Sequence, residues 1–301
     1  MHERSVLVLG DLMLDVNEHG EVNRVSPEGP VLILANPTRH VVLGGAGNTA
    51  ANTHSLGWRT ILAGVVGADD AAETCRGLCD SAGIAHVFVT SAETPTTVKT
   101  RFLARGQQIM RLDRESADVP EACHNALLES VRSAIGNVSA IVISDYEKGV
   151  VSPTLAARVI ELANRHGIPV VVDTKKRDLT CFRGAAVVTP NHFEATRATG
   201  EDDPEMAARA ISEMTDGAVA VTLGAQGMLV LENGAVTRIA SRVQEVADVT
   251  GAGDTVTAAI AVALAEDCTS VLEAATWANE AAAVAVSHTG TYAVPRSAVG
   301  R

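Results

Sequence analysis

Six short apolar runs constrain the fold of this chain more than any other feature. Ser5–Leu9 (SVLVL), Thr60–Val66 (TILAGVV), Ala140–Ser144 (AIVIS), Pro169–Asp173 (PVVVD), Ala185–Thr189 (AAVVT) and Val219–Thr222 (VAVT) are continuous, not alternating. A strand with one wet face alternates with period two, so an unbroken run predicts a strand covered on both faces, as in a parallel sheet. Between the runs, helical patterns cover Asn48–Leu56, Ala71–Ser81, Glu121–Ile135, Pro153–His166, Phe193–Thr199, Pro204–Thr215, Gly253–Glu266 and Ser270–Ser287. Strand and helix in alternation predict an α/β fold: a doubly wound, mainly parallel sheet with helices on both faces. Segments 16–36 and 96–113 break the pattern, because polar residues interleave with strand formers. They predict a small β lid with one open face. With no linker, repeat or low-complexity stretch between them, residues 1–301 read as one domain carrying that lid.

Composition sets the class of partner. Hydrophobic residues are 47% of the 301, enough for a sizeable core, but aromatics are only 3%, so Ala, Val, Leu and Ile must fill it. The charge of -12, from 24 basic against 36 acidic residues, repels a phosphate backbone. Neither nucleic acid nor base stacking on rings is therefore expected. The five cysteines, Cys75, Cys79, Cys123, Cys181 and Cys268, form no CxxC pair. Cys75 and Cys79 share one helix face and are expected to pack in a core. Gly10 and Asp11 interrupt the first apolar run before it could act as a secretory signal, and no run approaches the ~18 apolar residues of a membrane span. A soluble, reduced, cytoplasmic protein without a membrane partner is expected.

The densest chemistry lies in Asp248-Val-Thr-Gly-Ala-Gly-Asp254, directly ahead of an apolar helix. Gly251, Ala252 and Gly253 can present bare N–H groups at a helix N-terminus, where the dipole favours an anion. Asp254 beside such a site suits a base that takes a proton from a hydroxyl attacking a phosphoryl group. An acidic residue in a first helical turn is also stabilised with no catalytic role, but that does not account for the glycines ahead of it. Gly44-Gly45-Ala-Gly47-Asn48 is a second glycine-rich turn, with Asn48 and Asn52 one helical turn apart and able to face one ligand. It is not a dinucleotide fingerprint, which would follow the first strand directly.

These two motifs resemble the signatures of the PfkB, or ribokinase-like, carbohydrate kinases. The resemblance makes Asp254 the catalytic base and Gly251–Gly253 the anion hole, with ATP and Mg²⁺ as cofactors. Asn191-His-Phe-Glu194 is similar to the family's NxxE element, so Asn191 and Glu194 are implied to organise phosphates and, indirectly, Mg²⁺. Thr222-Leu-Gly224-Ala-Gln-Gly227 is similar to its nucleotide loop. Asn279 and the turn at His288–Thr291 are implied to flank adenine. The backbone near Asp248, Thr250 and Gly290 is implied to hold a monovalent cation such as K⁺, with Thr250 also beside ATP.

Within the family, Gly10-Asp11-Leu-Met-Leu-Asp15, Arg24-Val-Ser-Pro-Glu28-Gly-Pro30 and Ser144-Asp145-Tyr146-Glu-Lys148-Gly149 resemble the D-glycero-β-D-manno-heptose 7-phosphate kinases. So does the stretch from Thr97 through Lys99, Arg101, Arg111 and Asp113. The resemblance implies a sugar phosphate acceptor, with Asp11, Asp15, Gly44, Gly45, Asn48, Asn52 and Asp145 around its hydroxyls. Arg24, Lys99, Arg101 and Arg111 are suited to clamp its phosphate. Two departures touch the acceptor side: Asp173-Thr-Lys175-Lys176 replaces a DPKG-like turn, and Gly29 stands where Ala is usual. The chain ends at Arg301 without a nucleotidyltransferase half, so another protein is expected to attach the nucleotide. A homodimer through the lid is expected. A PfkB-type kinase for another sugar or nucleoside, a catalytically idle sugar-phosphate sensor and an oxidoreductase are the competing readings.

Overall fold

The computed structural model describes residues 4–243, 245–266 and 270–300. Cys268 lies outside them. In chain order the elements are β1 (Ser5–Gly10), β2 (Leu12–Glu21), β3 (Ala35–Gly45), α1 (Ala46–Ser55), β4 (Arg59–Gly67), α2 (Asp70–Ala82) and β5 (Ala85–Ser91). Then come β6 (Thr97–Ala104), β7 (Gln107–Arg114), α3 (Glu121–Ala134), β8 (Val138–Asp145), α4 (Pro153–Arg165), β9 (Val170–Thr174), β10 (Val187–Val188) and α5 (His192–Thr199). The last are α6 (Pro204–Thr215), β11 (Ala218–Thr222), β12 (Met228–Glu232), β13 (Ala235–Ile239), α7 (Ala252–Ala265) and α8 (Val271–Val286).

Nine strands form the main sheet in the order β13-β12-β11-β10-β9-β8-β1-β4-β5. All pairings from β5 to β11 are parallel, and only those of β12, with β11 and with β13, are antiparallel. Successive residues of a strand point to opposite faces. Accordingly Val6 and Val8 join the core beneath α1, α2, α7 and α8, while Leu7 and Leu9 join the one beneath α3, α4 and α6. Both cores are dry, which is why these strands read as continuous apolar runs.

Helix α7 takes the place that large aromatics fill in other cores. Asp254 through Ala263 are all buried, and four of those ten residues are alanine, so α8 and α1 approach closely. Cys75 and Cys79 are fully buried on one face of α2, and burial pushes their thiols up to about 12 and about 11. Such thiols are inert core residues. Several helix starts follow from local chemistry. Ser152 and Asp203 cap α4 and α6, each followed by Pro at the first helical position, and Asp69 caps α2.

The lid is a second sheet, β3-β2-β6-β7. Its first segment is longer than the 16–36 expected: β2 begins at Leu12, and β3 runs to Gly45 and straight into α1. Residues 22–34 instead form a loop closed by a single Val25–Leu32 bridge. Four further strands differ from expectation. β10 keeps only two residues of the Ala185–Thr189 run, and neither β5 nor the β12–β13 hairpin was anticipated. The hairpin turns at Asn233-Gly234, with φ of 51° and 80°, the pairing that a two-residue turn of this hand requires. Among the described residues no helix is long and apolar enough to cross a membrane.

Candidate active site

β1 lies between β8 and β4, so its flanking connections leave in opposite directions, and ligands of open α/β sheets bind outside the carboxyl ends of strands at such a point. Three carboxylates stand there: Asp11 after β1, Asp145 ending β8 and Asp173 in β9. Asp11 is 1% exposed and accepts the backbone N–H groups of Tyr146 (2.7 Å), Lys148 (3.0 Å) and Val150 (3.1 Å). Burial pushes its carboxyl up to about 6 against the pull of those bonds. Asp145 accepts from Glu147 N–H, Thr174 Oγ1 and Lys176 Nζ. Both acids were expected to receive sugar hydroxyls. In the structure their oxygens also hold the 146–150 loop and the turn after β9.

Asp254 sits in the first turn of α7. Gly251 caps that helix with φ 80°, and a Cβ there would lie 2.6 Å from Asn48 Nδ2, so glycine alone allows the approach. Asn48 then donates to Asp254 Oδ2 at 2.7 Å, while Thr49 Oγ1 (3.0 Å) and the Tyr146 hydroxyl (2.8 Å) donate to Oδ1. Burial pushes the Asp254 carboxyl above the usual range, while these donors and the nearby Lys175 charge act against it. Asn52, also expected near the sugar, is fully buried, donates to the Asn48 carbonyl and accepts from Thr255 Oγ1 and Val294 N–H, so it ties α1 to α7.

A cavity of about 300 Å³ opens beside the same helix N-terminus. Thr222, Gly224, Gly227, Ala252, Gly253 and Asn279 line it, together with the apolar Val243, Val246, Val249, Val256, Ala282 and Val286. Asn279 Nδ2 is bound to the Ala240 carbonyl. Its wall is mostly apolar with a few convergent polar groups, the chemistry expected for a base and ribose. His288–Thr291, expected to flank adenine, contributes nothing to that wall. His288 stacks on Tyr292 at 3.7 Å instead, and Gly290 N–H donates to Asp248. Asp248 also accepts from the N–H and hydroxyl of Thr250, so the three residues expected near a monovalent cation are fastened together through one carboxylate.

Asn191 and Glu194 open α5 as a reciprocal cap: Asn191 Oδ1 accepts Glu194 N–H and Glu194 Oε2 accepts Asn191 N–H, each at 2.9 Å. A bridge between Asn191 and Thr222 sets this turn beside the cavity. Glu194 Oε1 pairs with Lys175, whose Nζ also lies 3.7 Å from Asp173 and 5.1 Å from the Tyr146 ring centre. Burial disfavours the Lys175 charge, but Asp173 and Glu194 outweigh it and hold the lysine protonated. Asp173, 4% exposed, is pushed up to about 7 by burial. Among the described residues no three acidic, histidine or cysteine side chains gather to hold a metal unaided. One carboxylate, Glu194, fits a hard cation carried chiefly by phosphate oxygens and water.

The lid supplies the other wall. Gly44 leaves room for Asp15, since a Cβ there would stand 2.3 Å from Asp15 Oδ2. Gly45 continues that backbone as the cap of α1. Asp15 pairs with Arg101, Lys99 with Asp113 (3.3 Å) and Glu115 (3.1 Å), and Arg111 with Asp113 (2.9 Å). Arg24 is exposed in the 22–34 loop. Lys99, Arg101 and Arg111 are thus each balanced by neighbouring carboxylates. Four residues of the site were not singled out in the sequence: Thr49, Tyr146, Asp173 and Lys175. Tyr146 and Lys175 stood inside motifs already quoted, and Thr49 follows Asn48 directly; only the fold shows that all four converge on Asp254.

Comparison with known proteins gives the family. A family model described as pfkB family carbohydrate kinase matches residues 3–297. The bifunctional protein HldE of Granulibacter bethesdensis is 42% identical over 302 residues, covering 95% of this chain and 62% of its own length. That of Geobacter metallireducens is 41% identical, covering 99% and 63%. The chain therefore spans about three fifths of the length of these relatives. Among solved structures, Arabidopsis thaliana ribokinase complexed with ribose and ATP is similar with TM-score 0.78 and 25% identity over 99% of this chain and 97% of that one. Escherichia coli phosphofructokinase-2 in complex with potassium has TM-score 0.80 at 22% identity, with the same coverage, and speaks for the fold alone.

Proposed function

The chain belongs to the pfkB family of carbohydrate kinases, ATP-dependent sugar kinases, and from that premise we propose that it phosphorylates the anomeric 1-hydroxyl of D-glycero-β-D-manno-heptose 7-phosphate. The product is the 1,7-bisphosphate of ADP-heptose biosynthesis. The observation that carries the reaction is Asp254, a buried carboxylate at the N-terminus of α7 between the cavity and the lid. The acceptor is supported by 42% identity to a bifunctional HldE protein and by Lys99, Arg101 and Arg111 gathered on the lid.

ATP lies along the cavity with its phosphates toward Gly251–Gly253. The N–H groups of that turn and the dipole of α7 stabilise negative charge on the transferring phosphoryl group. Asn191 and Glu194 hold the phosphate end, and Lys175 bridges that end to the acceptor side. Mg²⁺, when bound near Glu194, neutralises and orients the phosphate oxygens. Asp254 takes the proton of the anomeric hydroxyl, Asn48 orients the base, and Asp15 with the lid cations holds the rest of the sugar phosphate. Closure of the lid excludes water. Asp248, Thr250 and the backbone near Gly290 would hold a monovalent cation such as K⁺, which would supply positive charge toward the phosphates.

Two chains pair through the lid. Val42, Ile109, Met110 and Leu112 are exposed large hydrophobics of this small sheet, Val25, Val31 and Leu32 are exposed in its 22–34 loop, and β3 and β7 are its edges. Such a patch with open edges calls for cover. The cytoplasm, which supplies ATP and keeps thiols such as Cys75 and Cys79 reduced, suits the enzyme.

A coupled ADP-release assay with MgATP and a panel of sugars with and without a terminal phosphate tests the acceptor. Turnover confined to the heptose 7-phosphate is expected. Turnover on sedoheptulose 7-phosphate or a free sugar keeps the kinase and discards the heptose. Silence with ATP still bound points to the sensor reading.

A further inference from the structure

Three donors reach the Asp254 carboxylate, and they differ in where they come from. Asn48 and Thr49 are adjacent residues of α1, both fully buried. Tyr146 belongs to the loop after β8 and is the one of the three that keeps partial exposure. That loop is not loose: its N–H groups at 146, 148 and 150 all end on Asp11 at the end of β1. The Tyr146 ring is also covered by Lys175 Nζ, 5.1 Å from its centre. A chain of fixed contacts therefore runs from Asp11 through the loop backbone to the Tyr146 hydroxyl and on to Asp254 Oδ1.

We propose that Tyr146 is a positioning residue for the base, holding Asp254 Oδ1 by its hydroxyl until the acceptor hydroxyl takes over that oxygen. Burial and the Asp254 charge keep the phenol well above its ordinary pKa, so it remains a donor throughout the working range. A hydrogen bond to the ionised form of a carboxyl favours that form. Tyr146 thus opposes the burial that would otherwise leave the base protonated, and it is the donor on the exposed side, where a ligand can displace it. Asp11 acts one step further back by fixing the loop. The inference rests on the kinase reading, with Asp254 as base, but not on which sugar is the acceptor.

The test is the pH dependence of kcat/KM for the acceptor at saturating MgATP in wild type, Y146F and D254N. The charged groups around Asp254 are Lys175 and Asp173 at the end of β9, Asp145 at the end of β8 and Glu194 on α5. Y146F leaves all of them in place. Removing a hydrogen bond to a charged group should move the acid limb up by about one to two pH units, with the loss concentrated on the acid side, about tenfold or more there. Placing 3-fluorotyrosine at 146, a stronger donor of nearly the same size, should move the limb the other way and does not depend on Y146F folding. A uniform loss at every pH in Y146F, or an unmoved limb in both variants, overturns the proposal. If D254N keeps wild-type turnover, the base assignment falls and this inference with it. If D254N is inactive while the limb stays fixed, only the role of Tyr146 falls.

Discussion

Asp254 is subject to two opposing influences at the scale of a single residue. Burial raises the free energy of its charged form, while the α7 N-terminus, Asn48, Thr49 and Tyr146 lower it. The result is a carboxylate more basic than one in water. D254N keeps the shape and loses the base, so kcat should fall by about 10²–10⁴-fold with ATP and acceptor binding retained, measured by steady-state kinetics alongside calorimetry. Asp173 gives a stability prediction. Its carboxyl is pushed up to about 7, above the unfolded value near 3.8, so the folded protein binds the extra proton between these pH values. The corresponding stability is fully present below about 4 and is lost as pH rises through 7. D173N should therefore gain Tm relative to wild type as the scan moves from about pH 5 to about pH 8, and a constant difference would contradict it. The sequence alone made Asp254, Asn48 and the glycines legible, because they sit in compact motifs. That Asp11, Asn52 and Asp145 are also engaged by the protein's own donors was not legible, because residue type and spacing carry no such information.

Elements decide how those residues meet. The turn into α7 works only with a left-handed residue at 251 and no side chain toward Asn48. G251A should cost about 1–2 kcal/mol in denaturant unfolding and lower turnover further than that loss of stability explains, by displacing Asn48 from Asp254. On the lid, Lys99 is shared by Asp113 and Glu115. The bond from Lys148, with help from Lys99, holds Glu115 below the usual carboxylate range, which ties lid to core in the absence of a ligand. K99M should raise KM for a phosphorylated acceptor about tenfold while KM for ATP stays put. The continuous strands were readable because both their faces are dry. The lid boundaries were not, since β2 and β3 begin inside apolar runs and only their antiparallel register, Leu12 opposite Gly45, places them in the second sheet. The hairpin at Asn233-Gly234 carries its own signal in the Asn-Gly pair, although it is the antiparallel end of an otherwise parallel sheet.

For the whole molecule, the proposed function divides between the two sheets: the large one would fix the catalytic groups at its carboxyl edge, and the small one carries the cations proposed for the acceptor and an exposed apolar surface. If chains pair through that surface, M110D together with L112D should convert a dimer to a monomer in sedimentation velocity, with the nine-stranded sheet intact by circular dichroism. A wild-type monomer would refute the pairing directly.

Helix α7 carries the base in its first turn and is buried along nearly all the rest of its length. Amides so placed exchange with solvent only when the entire domain opens. The proposed base, Asp254, therefore starts a helix whose body is expected to exchange slowest in the molecule. Heat or denaturant should abolish turnover and α7 protection in one step. Control of the proposed kinase is then expected at the periphery, where the lid would admit and enclose an acceptor.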